Sequence, residues 1–199
     1  MRRAGPGGRG FTLVEICIVA VIFTVLSAGL ITTFLTGRTS YLSADAYVQV
    51  QQESRRAFDV IVRELREAGS VAVASAGRRL NFQIARGYNI DAVACPNRIC
   101  WGNDTINGGW VHYTDITASG VRQLIRFTSG NQDDAAPETC SATNCRVLAN
   151  YVPATVSFFS YDAPTKSVTV TLQIIYANPV LPEGRMTGPA LTARVTLRN

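Results

Sequence analysis

The distribution of apolar residues divides the chain into three parts. Residues 11–36 form a continuous apolar run whose single charged side chain is Glu15. Residues 37–69 keep apolar side chains at helical spacing on one face, at Tyr47, Val50, Phe58, Ile61 and Leu65. Together these patterns predict one helix of about 55 residues that is apolar all round in its first half, amphipathic in its second, and ends at Gly69.

After Gly69 the alternation approaches a period of two and turn residues become frequent, which predicts a β-rich head over residues 70–199. Segments 87–109 and 129–145 are rich in Gly, Asn, Asp and Cys and are read as loops. Turns at residues 117–120 and 162–166 predict two hairpins. The predicted class is α+β, with a long N-terminal helix packed on an antiparallel β-rich head. The candidate strands are 80–85, 110–116, 121–128, 154–161, 167–176 and 191–197.

The apolar run is long enough to cross a bilayer. Its 26 residues would span roughly 39 Å as a helix. The preceding residues 1–10 carry Arg2, Arg3 and Arg9 and no acidic residue, so the positive-inside rule predicts a cytoplasmic leader and an exported remainder. The run is longer than the core of an ordinary secretory signal and lacks a small-residue cleavage site at its end, so we expect it to remain in the mature protein.

Four of the five cysteines lie in the predicted head as two C-x4-C pairs. In an oxidising periplasm we expect Cys95, Cys100, Cys140 and Cys145 to form disulfides. Spacing leaves three pairings open, and we favour the two local ones, because they would hold the two long loops; a crossed pairing would close a larger ring. A zinc site is less favoured because of the x4 spacing and the exported location.

The residues Arg9-Gly10-Phe11-Thr12-Leu13-Val14-Glu15 and the apolar run after them closely resemble the class III signal of type IV pilins and of type II secretion pseudopilins. The resemblance implies the type IV pilin fold. It also implies cleavage after Gly10 by a prepilin peptidase at the cytoplasmic face of the membrane, followed by N-methylation of Phe11. Glu15, at the fifth mature position, would then engage the terminal amine of a neighbouring subunit during filament assembly.

The chemistry of these positions agrees with that interpretation. Gly10 has no side chain, which suits the close approach of a protease to the backbone. A carboxylate one turn inside an apolar helix costs roughly 2.5 to 3.5 kcal/mol and becomes tolerable when a cation pairs with it. Cleavage creates such a cation, the amine of Phe11. In the alternative interpretation the run is an ordinary membrane anchor and Glu15 snorkels to the interface, but the order of Gly, Phe and Glu at a basic-to-apolar boundary favours the signal.

Further segments, at residues 51–57, 63–69, 158–161 and 194–199, resemble the PilW-type minor pilins. The resemblance implies a minor pilin that initiates or caps a pilus, with the prepilin peptidase, other major and minor pilins and the pilus assembly platform as partners. It implies a single-pass inner-membrane precursor with a periplasmic head that later joins a pilus at the cell surface. Because the J-type minor pseudopilins of type II secretion share much of this pattern, they are one alternative. A DNA-binding or adhesive tip pilin is another.

The sequence does not indicate an enzyme or a resident cofactor. His112 is the single histidine, and Asp115, three residues later in a predicted strand, points to the opposite face. Neither a P-loop nor an HExxH motif occurs. Residues 103–108 partly mimic a calcium loop, but Thr114 stands where such a loop needs Glu, so we expect a turn-rich loop without a metal.

The net charge of the chain bears on whether the head binds DNA. The formal charge of +5 falls to +2 after Gly10, because three arginines lie in the leader and leave 16 basic against 14 acidic residues. The basic residues of the head are accounted for as well by scattered, solvated arginines as by a DNA-binding surface. Direct DNA binding is therefore the less favoured interpretation. The arginines that raise the question are Arg78, Arg79, Arg86 and Arg98, near Trp101 and Trp110.

Overall fold

A computed structural model describes residues 12–141, 145–177 and 185–198. The chain divides into two compact units, one up to Leu42 and one from Ser43 onward. Helix α1 (Leu13–Arg66) has 54 residues and contributes to both units. Its length agrees with the prediction, but it ends three residues before Gly69, because Ala68 already begins the first strand.

The head is built from short antiparallel strands. In chain order the strands are β1 (Ala68–Ala74), β2 (Arg79–Tyr88), β3 (Ile99–Gly102), β4 (Trp110–Ala118), β5 (Val121–Ser129), β6 (Cys145–Asn150), β7 (Phe159–Asp162), β8 (Ser167–Leu172), β9 (Ile175–Ala177), β10 (Arg185–Thr187) and β11 (Leu191–Thr196). Strands β2, β4, β5 and β6 follow β1 across the larger sheet, and β3 pairs with the far part of β2. Strand β8 lies between β11 and β7 in a second sheet, and β9 pairs with β10.

The structure confirms the α+β class and both predicted hairpins. Strands β4 and β5 form the first hairpin, and Ser119 and Gly120, with φ of 50° and 77°, make its two-residue turn. Strands β7 and β8 form the second, in which Asp162 pairs with Ser167. The turn chemistry read from the sequence therefore sets the register of these four strands.

Other parts of the strand prediction were wrong. Strand β3 lies inside segment 87–109, which the sequence predicts to be a loop, and β1, β6 and β10 lie outside every candidate strand. Strands β3 and β10 have four and three residues, too few to show an alternating pattern. The predicted strand 154–161 is paired only from Phe159 onward, since the Phe158 N–H donates instead to the Gly77 carbonyl, in the turn between β1 and β2. Segment 167–176 divides into β8 and β9.

Within the second unit, α1 contributes a narrow buried stripe to the core. Three of its members are small, and Val50 packs so closely on the segment after β10 that a Cβ atom at Gly188 would lie 2.6 Å from its Cγ1. Tyr47, which the sequence places on the apolar face of the helix, lies outside this stripe and is 39 % exposed. The stripe consists of Ala46, Val50, Ser54, Ala57, Ile61 and Leu65.

A polar network also fixes α1 to the sheet. The Glu64 carboxylate accepts a hydrogen bond of 2.7 Å from the Tyr113 hydroxyl and one of 3.0 Å from Arg126 Nε. Arg126 Nη2 in turn lies 2.7 Å from a carboxylate oxygen of Asp104. Burial and the neighbouring Glu64 carboxylate raise the pKa of Tyr113 well above its usual value, so its hydroxyl remains a donor. The network links α1 with β4, β5 and the loop after β3.

We expect Glu64→Gln to lower the free energy of unfolding by about 2 kcal/mol, because the buried Tyr113 hydroxyl loses its charged acceptor and the half-buried Arg126 guanidinium keeps only Asp104 as a countercharge. Urea denaturation of the full chain in detergent micelles measures the change. The matched control is Asp59→Asn, which removes an exposed carboxylate of the same helix and should shift the midpoint little. Equal midpoints for the two variants would show that the network does not stabilise the head.

Candidate assembly site on the N-terminal helix

The first turn of α1 is closed by a capping box. The Thr12 Oγ1 accepts a hydrogen bond of 3.3 Å from the Glu15 N–H, and Glu15 Oε2 accepts bonds of 2.9 Å from the Thr12 N–H and 3.0 Å from the Thr12 hydroxyl. The T-x-x-E spacing is a helix-start signal, and it gives Glu15 a capping role in addition to the predicted assembly role. The carboxylate therefore already has a structural role within its own chain.

The part of α1 that lies in the first unit exposes almost all of its surface. From Thr12 to Tyr41 every side chain except that of Ser27 is exposed. The large apolar residues are the most prominent: Leu13 is 79 % exposed, and Phe23 and Phe34 are each 70 % exposed. By length and composition this part of the helix can cross a membrane. A helix that is apolar all round requires lipid or other apolar helices around it.

Glu15 is the only charged side chain in this apolar surface between Thr12 and Gly37. In a low-dielectric environment its carboxylate would need a cation or a full set of donors. The two Thr12 donors meet part of that need and leave oxygen lone pairs for a further donor. Gly10 and Phe11, where we predict cleavage and methylation, lie outside the described residues, so both events stay predictions.

The head contains two disulfides, Cys95–Cys100 and Cys140–Cys145, with Cα–Cα distances of 5.4 Å and 5.3 Å. These are the two local pairs that we favoured from the sequence. The first joins the segment between β2 and β3 to the second residue of β3, and the second ends at the first residue of β6. Cys17 is free and exposed on α1.

His112 is fully buried and makes polar contacts with three side chains. Its Nδ1 lies 2.8 Å from Asn81 Oδ1 and 3.1 Å from Arg79 Nη2, and its Nε2 lies 2.7 Å from Ser129 Oγ. The ring stacks on Phe127 at a centroid distance of 4.5 Å. Asp115 is not part of this cluster, since it forms ion pairs with Arg78 and Arg122. His112 and Asp115, which the sequence places on opposite faces of one strand, therefore contact different partners.

The His112 cluster predicts a pH-dependent stability. Burial, followed by the positive charge of Arg79, lowers the pKa of His112 from 6.5 to about 4. The unfolded chain therefore binds a proton below about pH 6.5 that the folded chain rejects, and stability falls as the pH drops from 6.5 toward 4. We expect a loss of roughly 2 kcal/mol between pH 6.5 and 5. His112→Gln should flatten that part of the profile, and an unchanged slope would contradict the assignment.

The residues that had suggested calcium or DNA binding are largely engaged within the chain. Asn103 Oδ1 accepts hydrogen bonds from the Thr105 and Ile106 N–H groups, which makes the predicted turn-rich loop. Arg78 and Arg79 make internal contacts with Asp115 and His112, respectively. In the part of the chain that the structure describes, no group of three His, Cys, Asp or Glu side chains could hold a metal ion.

No protein-family model, no curated protein and no solved structure matches this chain. The architecture itself is pilin-like: one long N-terminal apolar helix followed by a head of antiparallel sheets. Glu64 and Glu53, which fix α1 to the head, were not found from the sequence. The signal that could have found them is a carboxylate beside the predicted buried stripe of an amphipathic helix. A carboxylate at such a position is expected to have a partner elsewhere in the same chain.

Proposed function

We propose that this chain is a minor type IV pilin, a structural subunit that initiates or caps pilus assembly after a prepilin peptidase removes residues 1–10. The observation that carries the proposal is the exposed apolar half of α1, interrupted by the single carboxylate of Glu15 and continuous with a helix that is fixed to a folded head. In the precursor the apolar half spans the inner membrane. In the filament the same surface packs against the helices of other subunits.

The electrostatics of Glu15 supply the assembly mechanism. Cleavage after Gly10 creates a positively charged amine at Phe11 within a surface that is otherwise apolar. A carboxylate and an ammonium group that are both desolvated attract strongly at short range, and each removes the other's penalty for leaving water. Pairing Glu15 of one subunit with the terminal amine of another therefore couples processing to assembly and sets the axial register between helices.

The head is proposed to make the contacts that distinguish a minor subunit from the others in the filament. Its larger sheet is held to the amphipathic half of α1 by apolar packing and by the Glu64 network. The segments between its strands, two of which are closed by disulfides, offer surfaces for neighbouring minor pilins. The assembly platform and the major pilin complete the set of proposed partners.

A minor pseudopilin of a type II secretion system is the second candidate, because the same helix and head would serve a short pseudopilus. Deleting the gene tests the first candidate against it. A minor pilin predicts few or no surface pili and loss of retraction-dependent motility, both restored by a plasmid copy. Normal pilus number together with a defect in the secretion of folded exoproteins would favour the pseudopilin instead.

A further inference from the structure

A cleft of about 550 Å³ lies in the head beside the first disulfide. Trp101 and Gln83 contribute its aromatic and amide groups, and Arg98, Ile99 and Asn107 line other parts of it. Gln83 follows the core residue Phe82 along β2, so its side chain lies on the other face of the sheet from the core. The volume of the cleft falls within the range of about 300–1,000 Å³ that is usual for small-molecule sites.

The walls of the cleft are held in place by several independent contacts. The Cys95–Cys100 disulfide closes the loop on one side. Asp91 Oδ1 accepts hydrogen bonds from the Val93 and Ala94 N–H groups, and Asp91 Oδ2 accepts one of 3.0 Å from Asn107 Nδ2. A site whose loops are already ordered loses less conformational entropy when a ligand binds.

The position of the Trp101 ring depends on its contact with Gly69. The indole packs directly on Gly69, where a Cβ atom would come within 2.4 Å of the ring. Any larger residue at position 69 would therefore displace the indole. The ring is only partly buried, so the cleft presents an aromatic surface at a fixed position, which favours a ligand with a flat apolar face.

The polar groups of the cleft indicate the charge of its ligand. Arg98 is the only charged residue among those that line it, and none of them is acidic. One Arg98 N–H group donates to the Ala94 carbonyl at 2.9 Å, which positions the guanidinium and leaves further donors. Gln83 Nε2 donates to the Gly108 carbonyl at 3.0 Å. The amide oxygen, Oε1, is a separate acceptor that these Nε2 contacts do not use.

We propose that this cleft binds an acidic pyranose, such as the hexuronic acid unit of a polysaccharide. The apolar C–H face of the sugar ring packs on Trp101, the Arg98 guanidinium pairs with the carboxylate, and Gln83 Oε1 accepts a hydrogen bond from a ring hydroxyl. This gives the head a ligand-binding role in addition to assembly, and it does not depend on which filament the subunit joins.

The test uses the full chain with Trp110→Phe, which leaves Trp101 as its single tryptophan. The protein is kept in micelles of a zwitterionic detergent without a sugar headgroup, and its fluorescence is followed during titration with trigalacturonic acid or with neutral galactotriose. We expect a saturable change in tryptophan emission. The affinity for trigalacturonic acid should be at least about tenfold higher than the affinity for galactotriose. A thymidine oligonucleotide is titrated as a third ligand. The proposal would be overturned by the lack of a saturable change, by equal affinities for the two sugars, or by tighter binding of the oligonucleotide than of trigalacturonic acid.

Two substitutions in the same background separate the groups involved. Arg98→Gln should weaken binding of trigalacturonic acid about tenfold and leave the neutral sugar unaffected, because it removes only the charge-assisted bonds. Gly69→Ala should weaken binding of both sugars by moving the indole. Arg146→Gln is the matched control, since Arg146 is an exposed arginine on β6 outside the cleft. An equal loss of affinity in Arg98→Gln and Arg146→Gln would mean that the attraction is non-specific.

Discussion

Glu15→Gln should reduce the amount of this subunit in sheared filaments at least tenfold, with the precursor still present in the membrane. Glutamine has nearly the same shape as glutamate but cannot form an ion pair with the terminal amine of a neighbour. The remaining buried amine then lacks a countercharge, and even about 1.4 kcal/mol of lost pairing energy per subunit corresponds to a tenfold change in equilibrium. Quantitative immunoblots of filament and membrane fractions measure the ratio.

The capping box makes this substitution a clean test of charge. Gln can replace Glu in a capping box, so Glu15→Gln keeps the first turn of α1 closed. The matched control is Thr12→Ala, which removes the hydroxyl at the cap and leaves the carboxylate in place, where it still accepts the backbone N–H of residue 12. Thr12→Ala should enter filaments nearly as well as the parent. If both variants were lost equally, the helix start and not the charge would be the cause.

Ile61→Ala should lower the free energy of unfolding of the head by about 3 to 4 kcal/mol, the largest stability effect that we expect from a single side chain of α1. Ile61 is completely buried and belongs to the same core cluster as Leu80, Phe82 and Tyr113. Removing most of its side chain leaves a cavity between the helix and the larger sheet. Thermal unfolding of the full chain, followed by near-ultraviolet circular dichroism, measures the effect.

A matched control for Ile61→Ala is Ile61→Val, which removes one methylene group and should cost only about 1 kcal/mol. A second is Arg63→Ala, on the exposed face of the same helix, which should change stability little. A loss of less than about 1 kcal/mol for Ile61→Ala would mean that the amphipathic half of α1 is not part of the stable core of the head.

The helix and the hairpins could be predicted from the sequence because their signals are local. An apolar run without proline and a stripe at helical spacing predict α1 almost to its end, and glycine-containing or proline-containing turns fix the two hairpins. The end of α1 was misplaced because Gly69, which looks like a helix terminus, serves instead to accommodate Trp101. That requirement comes from a residue 32 positions later in the chain and has no local signal.

The contacts that fix the head to α1 also could not be read from the sequence. Glu64 pairs with Arg126, 62 residues away, and Glu53 accepts hydrogen bonds from Asn150, 97 residues away. Each of these charges looks like an ordinary solvated residue of an amphipathic helix until the strands are in place. The burial of His112 also has no local signal, because the residues that surround its ring, Phe127, Arg79 and Asn81, lie on two other strands.

The central claim, that Glu15 of an assembled subunit meets an amine uncovered by proteolysis, is tested most directly by mass spectrometry of the N-terminal peptide. The peptide is isolated from sheared filaments and, for comparison, from membranes. We predict that the filament sample begins at Phe11, carries an N-methyl group on that residue and contains no leader. An intact Met1 leader on assembled material would contradict the claim, because the amine that should neutralise Glu15 would then not exist.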